Sequence, residues 1–68
     1  MAPEELEQLN KEVKRAKRIA AEKAGELHDL VEDGLPEAYG DLLACAQRCY
    51  DACAQWAELQ ARWRASQG

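Results

Sequence analysis

The chain has 68 residues and a net charge of -4, with 13 Asp and Glu against 9 Lys and Arg. Its 47% hydrophobic content is largely alanine: 13 Ala stand against only 11 Leu, Ile and Val, with no Phe, which puts the large aliphatics at about 16%, below the ~20% floor for a self-sufficient core. Such a chain excludes a large enclosed active site, and it needs disulfides, metal, idealised helix packing or a partner chain for comfortable stability.

Pro3 followed by Glu4, Glu5 and Glu7 reads as a helix start. The ring lacks an N–H where none is needed, and the carboxylates complement the positive end of the helix dipole. From there Leu6, Leu9, Val13, Ala16, Ala20, Leu27 and Leu30 follow a 3-4 spacing, broken only by Lys23. That is the seam of a helix packed lengthwise on another. Nothing stops this helix before Asp33-Gly34-Leu35-Pro36. Gly34 suits a left-handed cap, and Pro36 cannot continue the helix. The spacing predicts a first helix over about 3–33, some 45 Å long at about 1.5 Å per residue. Gly25 is its interior blemish, costing ~1 kcal/mol against Ala.

A turn over 34–40 leads to a second helix over about 41–65, with Gly40-Asp41 offering an N-cap. Its apolar positions are Leu42, Cys45, Cys49, Cys53, Trp56, Leu59 and Trp63, flanked by Leu43, Ala46, Tyr50 and Ala57. They cover an arc of roughly 200°, wider than the ~100° stripe one neighbouring helix needs. Gln47, Arg48, Asp51, Gln55, Glu58 and Arg62 fill the remaining polar sector. The short connection makes the pair an antiparallel hairpin, all-α and a single domain over 1–68. Its uncovered flank is expected to face a second copy, with Leu42, Cys49, Cys53, Trp56 and Trp63 at that dimer or partner interface.

No apolar run reaches the roughly 20 residues that span a bilayer, and the acidic start is no secretory signal. Three Cys is an odd number without a disulfide framework, so the expectation is a cytoplasmic protein with reduced thiols.

Three constellations could carry chemistry. At the end of helix one, Glu26, His28, Asp29, Glu32 and Asp33 gather where carboxylates oppose the dipole. His28 and Glu32, at i and i+4, share a face and could both reach a metal, with Asp29 beside them. Imidazole plus carboxylate suits nickel, iron or zinc. The plainer reading is a solvated acidic turn. Next, Cys45, Cys49 and Cys53 form one ridge of helix two, able to hold a soft metal but coincident with the apolar arc, so packing is preferred. Last, Lys11, Lys14, Arg15 and Arg18 line one arc of helix one, with Lys17 nearby. Phosphate binding is possible there, although Glu7 and Glu22 are spaced to pair with Lys11 and Arg18, and no aromatics are interleaved. No nucleophile–base pair, Gly-rich phosphate loop or paired-carboxylate site is present. Nucleic acid is not the favoured partner.

Glu26-Leu27-His28-Asp29-Leu30-Val31-Glu32-Asp33, the following Leu35-Pro36 and later Tyr50-Asp51-Ala52 resemble the small Rop-like proteins associated with nitrogen fixation. The resemblance covers nearly the whole chain. It implies a hairpin forming a rod-like dimer, and a non-catalytic accessory role toward a nitrogenase component or cofactor-assembly protein. It also strengthens His28, Asp29 and Glu32 as metal candidates. The three Cys are not part of that pattern. The alternatives are a stand-alone metal carrier and an RNA-binding hairpin dimer.

Overall fold

The computed structural model describes residues 2–67. Helix α1 spans Pro3–Asp29 and helix α2 spans Leu42–Gln67. Between them lie a wide π-helical turn, Leu30–Gly34, and a tight 3-10 turn, Tyr39–Asp41. The two helices lie side by side as an antiparallel hairpin, a rod of 51 × 14 × 13 Å, and no strand occurs among the described residues. No helix of the described residues is long and apolar enough to cross a membrane.

The expected 3-4 seam of α1 is the packed one. Leu9, Ala16 and Ala20 are buried, while Leu6, Val13, Leu27 and Leu30 are half-buried. Lys23, which interrupts the pattern, is half-buried on the same line and reaches Glu26 at 3.6 Å. Its aliphatic stem fills the seam position while the ammonium stays at the rim. On α2, Cys45 and Leu59 are buried, and Leu42, Cys49, Ala52, Trp56 and Trp63 are half-buried. Leu9, Ala16 and Leu59 form the core cluster, with Val13, Trp56 and Trp63 packed against it.

Several boundary expectations need correction. The α-helix proper ends at Asp29, and the chain continues to Gly34 as a π turn. Gly34 is not left-handed, since no glycine among the described residues has a positive φ. Its bare Cα instead admits a close neighbour: a Cβ there would lie 2.9 Å from Leu30 Cδ1. Asp41 does not stand outside α2 as its cap. It closes the 3-10 turn, whose backbone bonds run from Tyr39 N–H to Pro36 O (3.1 Å) and from Asp41 N–H to Ala38 O (2.9 Å). Leu42 N–H then donates to Tyr39 O. A backbone turn thus occupies amides that a capping side chain would otherwise satisfy. Helix α2 also runs to Gln67, two residues beyond the expected 65.

Cys53, expected on the flank that the hairpin leaves uncovered, lies outside the seam. It is exposed, and Ala52 takes the seam position instead. Counting 3-4 steps along α2 gives 42, 45, 49, 52, 56, 59, 63, so the register of the helix, not side-chain hydrophobicity, selects Ala52.

Two substitutions test this packing. Nothing lies within 4 Å of a Cβ built on Gly25, so Gly25→Ala should raise unfolding free energy by about 0.5–1 kcal/mol through helix propensity alone. Leu59→Ala, at 7% exposure, should lower it by about 2–4 kcal/mol. Urea unfolding followed by circular dichroism measures both.

Candidate functional site

The π turn brings the end of α1 into a wider spiral where the acidic cluster sits. His28 Nε2 lies 3.2 Å from Glu32 Oε2, and His28 Nδ1 lies 3.7 Å from Asp29 Oδ1. The i, i+4 spacing therefore unites His28 and Glu32 as expected. Two donors about 2.0–2.2 Å from one tetrahedral ion would be roughly 3.3–3.6 Å apart, so this pair is close to the edge of a coordination shell. Asp29, however, faces the opposite ring nitrogen and cannot share an ion held at Nε2 in this arrangement. At 3.7 Å it is also beyond hydrogen-bond range of the imidazole. Among the described residues no group of three or more His, Cys, Asp or Glu is gathered to hold a metal. The imidazole and both carboxylates are well exposed, so their mutual attraction adds little to stability.

The basic stripe is unpaired. Lys11, Lys14, Arg15, Lys17 and Arg18 are all exposed. The expected partners, Glu7 for Lys11 and Glu22 for Arg18, form no ion pair; besides the His28 contacts, the pairs among the described residues are Lys23–Glu26 and Arg62–Glu58 (2.7 Å). Long exposed side chains gain too little Coulomb energy in water to offset the rotamer freedom lost on pairing. The positive charge of the stripe therefore projects into solvent.

Around the seam the hairpin has two unlike faces. One carries shallow grooves. A groove of about 420 Å³ has Ala16, Ile19, Ala52 and Leu59 as its floor and Glu12, Arg15, Gln55 and Arg62 as its rim. It continues past Leu9 toward Ser66 at one end, and a similar groove beside Lys23, Asp41 and Arg48 lies toward the turn. Helical rotation of 100° per residue puts Leu6 and Val13 of α1 on the other face, with Leu42, Cys49, Cys53, Trp56 and Trp63 of α2. This second face is apolar and open. Of the residues expected at the partner interface, Leu42, Cys49 and Cys53 lie toward it, while Trp56 and Trp63 stand at its border with the seam, packed against the core cluster. Trp56 is half-buried there and satisfies its indole N–H within the helix, on Gln60 Oε1 at 3.1 Å. Further round, the back of α2 exposes Leu43 at 83% and Tyr50 at 70%.

The three thiols of α2 are free and graded: Cys45 buried, Cys49 half-buried, Cys53 exposed. Partial burial pushes the Cys49 thiol above its ordinary value, helped by its hydrogen bond with Cys53 and by repulsion from the Cys53 and Cys45 thiolates. A thiol so placed stays protonated and is a poor nucleophile. Nothing in the sequence separates Cys53 from the other two except the 3-4 count, which Ala52 satisfies.

A family model described as Rop-like matches residues 4–67, nearly the whole chain. Comparisons with curated proteins and with solved structures give no significant match.

The His28–Glu32 geometry makes a definite expectation for metal. Nickel, zinc or iron should bind weakly, one ion per chain, because two donors leave most of the shell to water. Calorimetry on tag-free protein should show this heat vanish in His28→Ala and shrink in Glu32→Ala. Equal binding by wild type and His28→Ala would remove the site.

Proposed function

Because the chain belongs to the Rop-like family, we propose that it is a non-catalytic accessory protein of nitrogen fixation that acts as a paired hairpin and docks a nitrogenase component or a cofactor-assembly protein. The nitrogen-fixation assignment rests on the Leu27-His28-Asp29-Leu30 block and its surroundings. The observation that carries the binding role is apolar surface left uncovered by the hairpin. Leu43 at 83%, Tyr50 at 70% and Val31 at 53% exposure are large side chains with no partner in their own chain. No described side chain is fully buried, and three of the five core residues are Ala or Cys. So little burial leaves a lone hairpin marginal, and a second copy on the open face would cover Trp56, Trp63, Val13 and Leu6 together.

Charge favours one arrangement of that copy. Residues 21–50, the turn half, hold seven carboxylates against Lys23 and Arg48; the remaining residues hold six carboxylates against seven cations. Parallel stacking would set one acidic half on another, whereas antiparallel stacking sets it against the balanced, arginine-bearing half. The back of α2 stays free in either case, and Leu43 and Tyr50 are then the anchors for a protein partner. The helical hairpin is not a usual enzyme architecture, and no nucleophile–base pair is assembled among the described residues. The reading places the protein in the cytoplasm, beside reduced thiols and the enzymes it would serve.

One observation supports a second reading. The stripe Lys11, Lys14, Arg15 and Arg18 carries no compensating ion pair in the structure. An RNA-binding hairpin dimer would use such a face, with affinity falling steeply as salt rises.

Sedimentation at micromolar concentration should give a dimer, and Leu6→Glu on the open face should shift it toward monomer while circular dichroism shows the hairpin still helical. A pull-down from cells fixing nitrogen should recover a nitrogenase component or assembly factor, with recovery lost in Leu43→Asp plus Tyr50→Asp. Recovery unchanged in that double variant would remove the back of α2 from the docking role. The RNA reading predicts salt-sensitive RNA retention abolished by Lys14→Glu with Arg18→Glu, and no retention by the wild type at low salt would dispose of it.

A further inference from the structure

Cys53 has no packing duty, because Ala52 holds the seam position next to it. It projects instead on the open face, one helical turn beyond the half-buried Cys49. Neither sulfur is in a disulfide, and the i, i+4 step sets both thiols on one side of the helix. Cys45 lies a further turn away and is only 4% exposed, sealed between the helices. The ridge therefore divides into one structural thiol and one accessible pair.

We propose that Cys49 and Cys53 form a two-thiolate site for a soft monovalent cation, copper(I). Donor type and donor number both lead to this ion. Thiolate donors select soft metals over magnesium, calcium or manganese. Zinc and iron–sulfur centres need about four ligands, and no cluster of three or more candidate ligands exists among the described residues. Copper(I) is satisfied by two thiolates in a near-linear arrangement, so a pair on one rigid helix face is sufficient. Binding changes no oxidation state. One copper(I) displaces the two thiol protons to solvent and leaves a complex of charge -1.

The surroundings are consistent with that chemistry. Mutual repulsion of the thiolates, part of what holds Cys49 protonated, is relieved when a cation sits between the sulfurs. Half-burial of Cys49 shields one side of the ion from water. In the single hairpin, before a second copy covers the open face, the exposed Cys53 supplies the route in. This site is separate from the His28–Glu32 pair at the turn, in position and in donor chemistry, and it does not depend on the nitrogen-fixation reading.

The test is an anaerobic titration of the reduced, tag-free full chain with copper(I) against a chromogenic copper(I) chelator, with ultraviolet absorption following thiolate–copper bonds. The expected result is one copper per chain. Affinity should fall roughly a hundredfold or more in Cys49→Ser and in Cys53→Ser. Cys45→Ser should keep the wild-type affinity, with circular dichroism confirming that all three variants remain helical. Cys49→Ala and Cys53→Ala serve as second variants where a serine unfolds the hairpin. Wild-type affinity in either Cys49 or Cys53 variant overturns the site. So does loss of binding in a helical Cys45→Ser protein. A ratio of one copper per two chains that survives Cys49→Ser also overturns it, since Cys53 alone would then be bridging copies.

Discussion

The fold depends on one seam between two helices. Leu9, Ala16 and Ala20 of α1 meet Cys45 and Leu59 of α2, and no second layer lies behind them. Small side chains in the middle of the rod let the backbones approach closely, so that much of the dispersion energy comes from backbone and Cβ contacts. The bulky residues of the cluster, Leu9 and Leu59 with Trp56 and Trp63 against them, lie in the half of the rod away from the turn. A seam built this way tolerates no slip. Moving α2 by one residue would replace Ala52 with Cys53, and Leu42 with Leu43, in the interhelical line.

An unequal division of polarity around the seam follows from that register. Positions to one side of the line hold Glu12, Arg15, Gln55 and Arg62 over a thin apolar floor. Positions to the other side hold Leu6, Val13, Cys49, Trp56 and Trp63, and the apolar arc continues to the back of α2. The grooved face is therefore wettable as it stands. The other face stays half-covered because one helix of limited diameter can shield only about 100° of its neighbour. This gives physical content to a binding role: the hairpin has hydrophobic surface to cover and no interior in which to hide it.

Charge is distributed along the rod rather than around it. Carboxylates collect near the π turn, where the dipole of α1 already places partial negative charge. The basic stripe occupies the other half of α1 and is not neutralised by its helical neighbours. The turn is thus the natural place for a cation and the stripe the natural place for an anion. The thiol pair lies on the second helix, on the apolar side of the seam.

Much of this was legible in the residues. Pro3 and the glutamates marked the start of α1, the 3-4 spacing picked its seam from Leu6 to Leu30, and the i, i+4 step joined His28 to Glu32. The Rop-like resemblance agrees with the family match over residues 4–67. Each of these signals is local, so a linear reading captures it. What tertiary structure decided is how neighbouring turns and helices resolve competing local choices. Leu30 crowds Gly34 in a π turn, a 3-10 turn takes the place of an Asp41 cap, and Asp29 falls on the far side of the imidazole. Above all, hydrophobicity alone ranks Cys53 over Ala52 for the seam. The 3-4 count points to Ala52, and the packing of α1 against α2 decides between the two adjacent residues, because a helix turns 100° per residue and its neighbour covers one narrow stripe.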